Sequence, residues 1–235
     1  MKLLTAAELE DSSVAANCRM NRERNLLCYR QELGCDPLVL LRAQAAERIE
    51  ASWLDVCCGS GRALIQAAAR LTPGRIKIEG VDLIDRFEPN PFPDVLKLRD
   101  ANIERWITPT RYALITCVHG IHYLGDKLAV IAKLVGWLAA DGALIATLDL
   151  SGFRFEDGSS AGRAIAKWLR NNGLQYSSRR RTLRCLGPRE LVPPFAYLGA
   201  DDRVGPNYTG QPAVAAVYAK PARPLRRAVN DGEVM

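Results

Sequence analysis

The run Trp53-Leu54-Asp55-Val56-Cys57-Cys58-Gly59-Ser60-Gly61-Arg62-Ala63-Leu64 constrains the fold more than any other part of the chain. Apolar residues lead into an acid, then a turn of small residues, then a helical pattern that begins at Arg62. That order reads as strand, tight loop, helix. Gly59 and Gly61 remove the side chains that would hold a ligand away from the backbone. The helix start points unpaired N–H groups at whatever lies over the loop. Asp55 ends the strand at the same edge, where its carboxylate can accept hydrogen bonds from a cationic or hydroxyl-bearing ligand.

Strand-like and helical runs alternate from there on. The expected strands are Trp53–Cys57, Ile76–Val81, Val95–Leu98, Tyr112–Cys117 and Ala143–Leu148, with helices Ala63–Arg70 and Leu128–Ala139 among them. Near-continuous apolar strands that alternate with helices imply a parallel sheet covered on both faces. Such sheets bind ligands at the carboxyl ends of their strands. Residues 1–50 read as helical, an N-terminal lid: Asp11-Ser12-Ser13 caps one helix start, Gly34 stops another, and Asp36-Pro37 opens a third over Leu38–Ile49. The principal domain is expected over 51–220. It would finish with a helix near Ala161–Asn171, a strand around Leu183, and a last strand Ala213–Ala219 that enters the sheet antiparallel. Residues 221–235 read as a flexible tail.

Composition narrows the setting. The chain has 235 residues, enough for one α/β domain with a large core. Its seven cysteines are an odd number without Cys-x-x-Cys spacing, so neither a disulfide framework nor a zinc site is expected, and a reducing cytoplasm fits. No metal is called for. No uninterrupted apolar segment reaches membrane-spanning length. The net charge is +6, with arginines clustered at Arg179, Arg180, Arg181, Arg184 and Arg189 and again at Arg223, Arg226 and Arg227. Clusters of this kind are either a nucleic-acid footprint or a solvated edge. No aromatic residues interleave with them, which disfavours single-stranded RNA.

The glycine loop resembles the first motif of class I S-adenosylmethionine (SAM) methyltransferases, acid-x-Gly-x-Gly-x-Gly. Cys57 stands where the first glycine is usual, a replacement that a negative backbone angle permits. The resemblance spans roughly Trp53 to Leu148. It implies a Rossmann-like, seven-stranded, mostly parallel α/β sheet with an antiparallel last strand, and SAM as cofactor. It also implies a cofactor site of Asp55, Cys57, Gly59, Ser60 and Gly61 from the loop, and Asp82 and Leu83 after the second strand. Asp100, Ala101 and Asn102 after the third strand, and Val118 after the fourth, complete that site. Asp82, about 20 residues past the loop, is placed to accept both ribose hydroxyls. Asp100 would accept the adenine amino group, although Asp100-Ala101-Asn102 is equally a helix cap. A nicotinamide-dependent dehydrogenase shares the loop and such an acid but needs hydride-transfer residues such as a Tyr-x-x-x-Lys pair, and none is read in this chain.

The fourth strand runs into Cys117-Val118-His119-Gly120-Ile121-His122-Tyr123-Leu124-Gly125-Asp126. In the resembling family an apolar residue, a His and an aromatic precede Leu-x-Asp, and His122 matches that His. His122 serves either catalysis or packing. His119, at the strand end, is expected to face the acceptor and to take its proton or position it. Tyr29 and Arg30 from the lid, Tyr123, Asp149, Asn207 and Tyr208 are expected to line the acceptor site. The chain carries no Asn-Pro-Pro-Tyr or Asp-Pro-Pro-Tyr sequence, which favours a small-molecule acceptor. An RNA methyltransferase and a SAM-binding protein without methyl transfer are the alternatives. Oligomeric state stays open.

Overall fold

The computed structural model describes residues 2–16, 23–46, 50–71 and 74–221. Among the described residues, the N-terminal part holds four helices. Helix α1 (Ala6–Glu10) starts from a reciprocal capping box between Thr5 and Glu8, and α2 (Ser13–Ala16) follows. Asn25 caps α3 (Leu26–Leu33) by accepting from Cys28 N at 2.9 Å, and Gly34 ends it at φ 64°. Asp36 accepts from Leu38 N at 3.0 Å at the start of α4 (Pro37–Ala46), so Asp36-Pro37 opens the helix as the sequence implied. Then come β1 (Ala51–Val56), α5 (Arg62–Ala68), β2 (Ile76–Asp82), β3 (Leu96–Asp100), β4 (Tyr112–Cys117), α6 (Lys127–Gly136) and β5 (Leu138–Thr147). The chain continues through β6 (Phe153–Phe155), α7 (Gly162–Asn171), β7 (Gln175–Ser177), β8 (Thr182–Leu186), β9 (Tyr197–Asp201) and β10 (Ala215–Tyr218).

Seven strands form the main sheet in the order β3-β2-β1-β4-β5-β8-β7. The first five run parallel, and β8 lies antiparallel between β5 and β7. The strand order reverses between β1 and β4, so their carboxyl ends flank the crevice where such sheets take ligands. Alternate residues of β1 feed opposite faces. Trp53 packs with Leu33, Leu38, Leu41 and Leu64 beneath α3, α4 and α5. Leu54 and Val56 pack with Leu128, Ile131, Ile165 and Leu169 beneath α6 and α7. Residues from 26 to 46 therefore share one core with the sheet.

The segment Ala213–Ala219 does not close the main sheet as expected. The hairpin β7–β8 fills the edge of β5, pairing Ile145 with Arg184. Strand β10 then builds a second, three-stranded sheet, parallel to β6 and antiparallel to β9. A local β7–β8 pairing closes a shorter loop than a distant strand would. The expected end of α4 at Ile49 and the tail from 222 onward lie outside the described residues.

Gly80 in β2 lets α5 sit close on the sheet. A Cβ there would meet Leu64 Cδ1 at 2.6 Å, Leu98 Cδ2 at 2.8 Å and Cys58 Sγ at 2.9 Å. Gly80→Ala should therefore lower stability by about 1–3 kcal/mol through overpacking. The check is a lower urea midpoint with an unchanged slope. An unshifted midpoint would mean that the helix gives way freely.

Candidate active site

Two non-glycine residues at the crevice hold left-handed backbone, Cys57 after β1 and His119 after β4, both at φ 58°. The expected negative angle at Cys57 is thus corrected. Gly120 makes the conformation tolerable: a Cβ on it would lie 2.4 Å from Cys57 Cβ. The missing side chain of Gly120 is the space Cys57 occupies. Strain of this kind costs about 1–3 kcal/mol per residue and gathers at functional sites. Gly59 (φ 64°) and Gly61 (φ 76°) complete the loop, and Gly61 caps α5.

Asp55 is fully buried. Its Oδ2 accepts from the Tyr29 hydroxyl at 2.6 Å, and its Oδ1 from the Thr116 hydroxyl, which in turn accepts from Trp53 Nε1 at 2.8 Å. The network ties α3 to β1 and β4. Burial, above all, pushes the Asp55 carboxyl up to about 7. Asp82 Oδ2 accepts from Gly59 N at 2.8 Å and so holds the glycine loop against the end of β2. Ser60 donates to Glu88 at 3.1 Å, where Arg62 is also ion-paired.

Beyond Asp82 lies a small pocket lined by Leu83, Ala101, Asn102, Ile103 and Tyr123, with Leu9 and Glu10 of α1 over it. Asn102 and Arg105 both bond Glu10, which pins α1 to that end of the site. Asp100 is exposed at the end of β3 and is not among the residues that line this pocket.

His119 is the hub on the other side. It is 4% exposed, and its backbone N–H donates to Thr147 Oγ1 at 2.6 Å. Its Nε2 lies 3.2 Å from Glu32 Oε1 on α3, and its Nδ1 lies 3.2 Å from the Tyr208 hydroxyl. The His bond holds the Glu32 carboxyl below its ordinary value. The rings of His119, His122 and Tyr208 sit 5.6–5.8 Å apart, and Arg181 lies 4.1 Å over the Tyr208 ring. His122 is equally buried. Burial first, and then the charges of His119, Lys127, Arg24 and Arg181, drive it well below the usual histidine range. It is a neutral ring, and its Nε2 has no hydrogen-bond partner among the described residues. Asn207 Nδ2 and both Nε and one terminal nitrogen of Arg24 are likewise buried and have no partner among the described residues. The Arg24 charge acts on Asp55, Tyr29, Glu32, His122 and Tyr208, which places it among the lid, the loop and the histidines. Buried unpaired donors are uncommon in folded proteins and mark where an acceptor group is to be met.

The other expected residues have more local duties. Arg30 pairs with Asp36 at 2.7 Å. Asp149 accepts from Ser151 N at 3.0 Å. Tyr123 and Lys127 do have Tyr-x-x-x-Lys spacing, but the Lys127 amine is buried and donates to the carbonyl of Leu124 at 2.6 Å. It braces the turn below the histidines instead of serving a tyrosine. Sequence reasoning missed Arg24, Glu32, Thr147 and Arg181. Only their proximity to Tyr29, His119 and the arginine cluster hinted at them.

A family model described as a methyltransferase domain matches residues 27–190. The chain belongs to that family. Family and sheet order together make it a SAM-dependent methyltransferase of class I fold. None of the curated proteins compared matches the sequence. Among solved structures, the N-methyltransferase NodS from Bradyrhizobium japonicum WM9, in complex with S-adenosyl-l-homocysteine, is 15% identical with a TM-score of 0.49. The match covers 78% of this chain and 98% of NodS. A complex of DhpI with SAH gives 15% identity and a TM-score of 0.49, covering 79% and 100%. The magnesium protoporphyrin IX methyltransferase ChlM from Synechocystis PCC 6803, with bound SAM, gives 16% and 0.45, covering 68% and 79%.

The raised Asp55 carboxyl has a signature in stability. A carboxyl that binds its proton more tightly folded than unfolded contributes stability that is fully present below its unfolded value, near 4. That contribution is lost as the pH rises through about 7. The stability of wild type relative to Asp55→Asn should therefore fall from pH 4 to pH 8, by on the order of 4 kcal/mol. Urea unfolding of both proteins across that range measures it. A constant difference would show that Asp55 stays ionised in the fold.

Proposed function

We propose that this methyltransferase moves the methyl group of SAM onto a small-molecule acceptor held between α3 and the loops that follow β4, β5 and β9. The observation that carries the reading is the crevice between β1 and β4. There a left-handed glycine loop tied to Asp82 is accompanied by buried nitrogens of Arg24 and His122 that have no partner among the described residues.

The residues present fit SAM. Gly59 and Gly61 leave the loop backbone open to close approach, and Asp82 sits where ribose hydroxyls would be accepted. The small pocket of Leu83, Ala101, Asn102 and Tyr123, with α1 over it, lies beyond Asp82 on the side where the family resemblance puts adenine. The Arg24 guanidinium lacks a partner for two of its nitrogens, and a methionine carboxylate is its chemical complement. Asp55, with Tyr29 and Thr116, braces the strand that leads into the loop from within the core. When bound, SAM supplies an electrophilic methyl on a sulfonium, and catalysis is then largely alignment of the acceptor with it. His119 and His122 flank the acceptor space, His119 as the group that holds or takes a proton. Tyr208, Asn207, Tyr123 and Asp149 line that space.

Small-molecule rather than nucleic-acid chemistry is supported by where the arginines go. Arg184 donates to the carbonyl of Leu33 at 2.7 Å, and Arg181 stacks on Tyr208. Both serve the protein's own structure. The free state of the six described cysteines fits a reducing, cytoplasmic setting.

Isothermal calorimetry with SAM tests the reading. Wild type should bind, and Arg24→Met and Asp82→Asn should each lose about 1.5–3 kcal/mol, the range for charge-assisted hydrogen bonds. That is roughly tenfold to a hundredfold in affinity. No binding by wild type, or full affinity in both variants, would overturn it. Gly61→Val should abolish binding in protein that still folds, because valine is strained at φ 76° and its Cβ would lie 2.9 Å from Leu98 Cδ1, which forces the loop out of place.

A further inference from the structure

His119 has no ring nitrogen to spare for an acceptor. Glu32 faces its Nε2 and the Tyr208 hydroxyl faces its Nδ1, each at 3.2 Å. An ionised carboxylate only accepts, so Nε2 carries the hydrogen. In the neutral ring Nδ1 is then bare, and the Tyr208 hydroxyl donates to it. The backbone fixes this choice: the strained φ of His119 and its N–H bond to Thr147 hold the ring between α3 and the turn that carries Tyr208. The phenol oxygen, having given its hydrogen to His119, keeps a lone pair for another donor.

We propose that Tyr208 is the catalytic residue that meets the acceptor, with His119 and Glu32 as positioning residues that take the proton on through it. The proposal rests on the methyltransferase reading. In the step, the acceptor's O–H or N–H proton passes to the Tyr208 oxygen. The Tyr208 proton passes to His119 Nδ1, and the Nε2 hydrogen stays on Nε2, donated to the Glu32 carboxylate. The electron pair left on the acceptor atom forms the bond to the methyl carbon, and the broken S–C pair remains on sulfur. One proton ends on His119 as an imidazolium beside a carboxylate, and the sulfonium charge is discharged.

The surroundings favour a relay over a free phenolate. Tyr208 is faced by Glu32 from α3, by Arg24 just before it, by Arg181 from the β7–β8 turn and by Asp149 after β5, with neutral His122 at its side. Burial first, and Glu32 next, push the phenol up to about 12. Near neutral pH it gives up its proton only as it receives one. A relay of this kind serves acceptors that carry a proton at working pH, hydroxyls and amines, and is idle for a carboxylate.

The test uses protein labelled with ¹⁵N-histidine, in which only two histidines report; His119→Gln assigns the signals. The bare nitrogen of His119 should be Nδ1, and Tyr208→Phe should shift that resonance while SAM affinity stays within about twofold. Release of S-adenosylhomocysteine is then followed with a panel of phenols, hydroxy acids and primary amines. There Tyr208→Phe should slow kcat by about 10²–10⁴, and Glu32→Gln, which can still accept from Nε2, should slow it less. An Nδ1 resonance that carries the hydrogen, or one that ignores Tyr208→Phe, overturns the relay whether or not the panel yields an acceptor. Unchanged turnover in Tyr208→Phe overturns it too. Failure of wild type to bind SAM would take down the methyltransferase reading as well, whereas bound SAM with an unmoved Nδ1 would take down the relay alone.

Discussion

The buried carboxyl of Asp55 is the contact on which the rest of the crevice depends. It lies at the end of β1, takes hydrogen bonds from α3 and from β4, and does so with no exposure to water. Without it Tyr29 would have no reason to reach down, and α3 would not stand over the sheet at the height that brings Glu32 to His119. A charge in that place is costly unless paired. The protein meets the cost by holding the group near neutrality and giving each of its oxygens a hydroxyl donor. Lys127, on the far side of the histidines, is treated alike: burial brings its amine down to about 7, and the turn carbonyls receive its hydrogens. The crevice is thus walled by groups at the edge of ionisation.

Much of the sheet was legible because local pattern and global fold agree there. Residues 51–56 and 112–117 are largely apolar runs and 76–82 alternates apolar with polar, all bounded by turn residues, and β4 falls on Tyr112–Cys117 as read. The glycine loop was legible because only a narrow set of sequences makes a left-handed turn into a helix. Asp82 was found from its spacing, but its bond to Gly59 was not, since nothing in a sequence says which donor a carboxylate will choose. The β7 strand is three residues long and half-exposed, too short to carry a period. Its hairpin nonetheless displaced Ala213–Ala219 from the main sheet. Arg24 and Glu32 escaped notice for a related reason. Charged residues on a lid helix look solvated until the helix is docked, and the docking depends on Tyr29 finding Asp55 about 26 residues away.

His119 was expected to act directly. Its place after β4 was read correctly in outline, but both of its nitrogens are engaged, by a lid residue and by a turn residue far along the chain. Sequence order can place a histidine at a strand end. It cannot say what sits on either side of the ring, because those partners arrive from separations of 87 and 89 positions in a single packed cluster.

Cys57 and Gly120 share one volume. With 2.4 Å between the sulfur-bearing Cβ and the carbon that Gly120 lacks, the two positions have space for a single side chain between them. Change at either is therefore conditional on the other. Glycine at position 57 would relieve the nearest of these contacts, yet a methyl group at 120 would still lie 2.7 Å from Cys117 Sγ. Position 120 is thus hemmed in from two strand ends, by Cys57 after β1 and by Cys117 at the end of β4, and it is the glycine there that lets the two cysteines stand side by side.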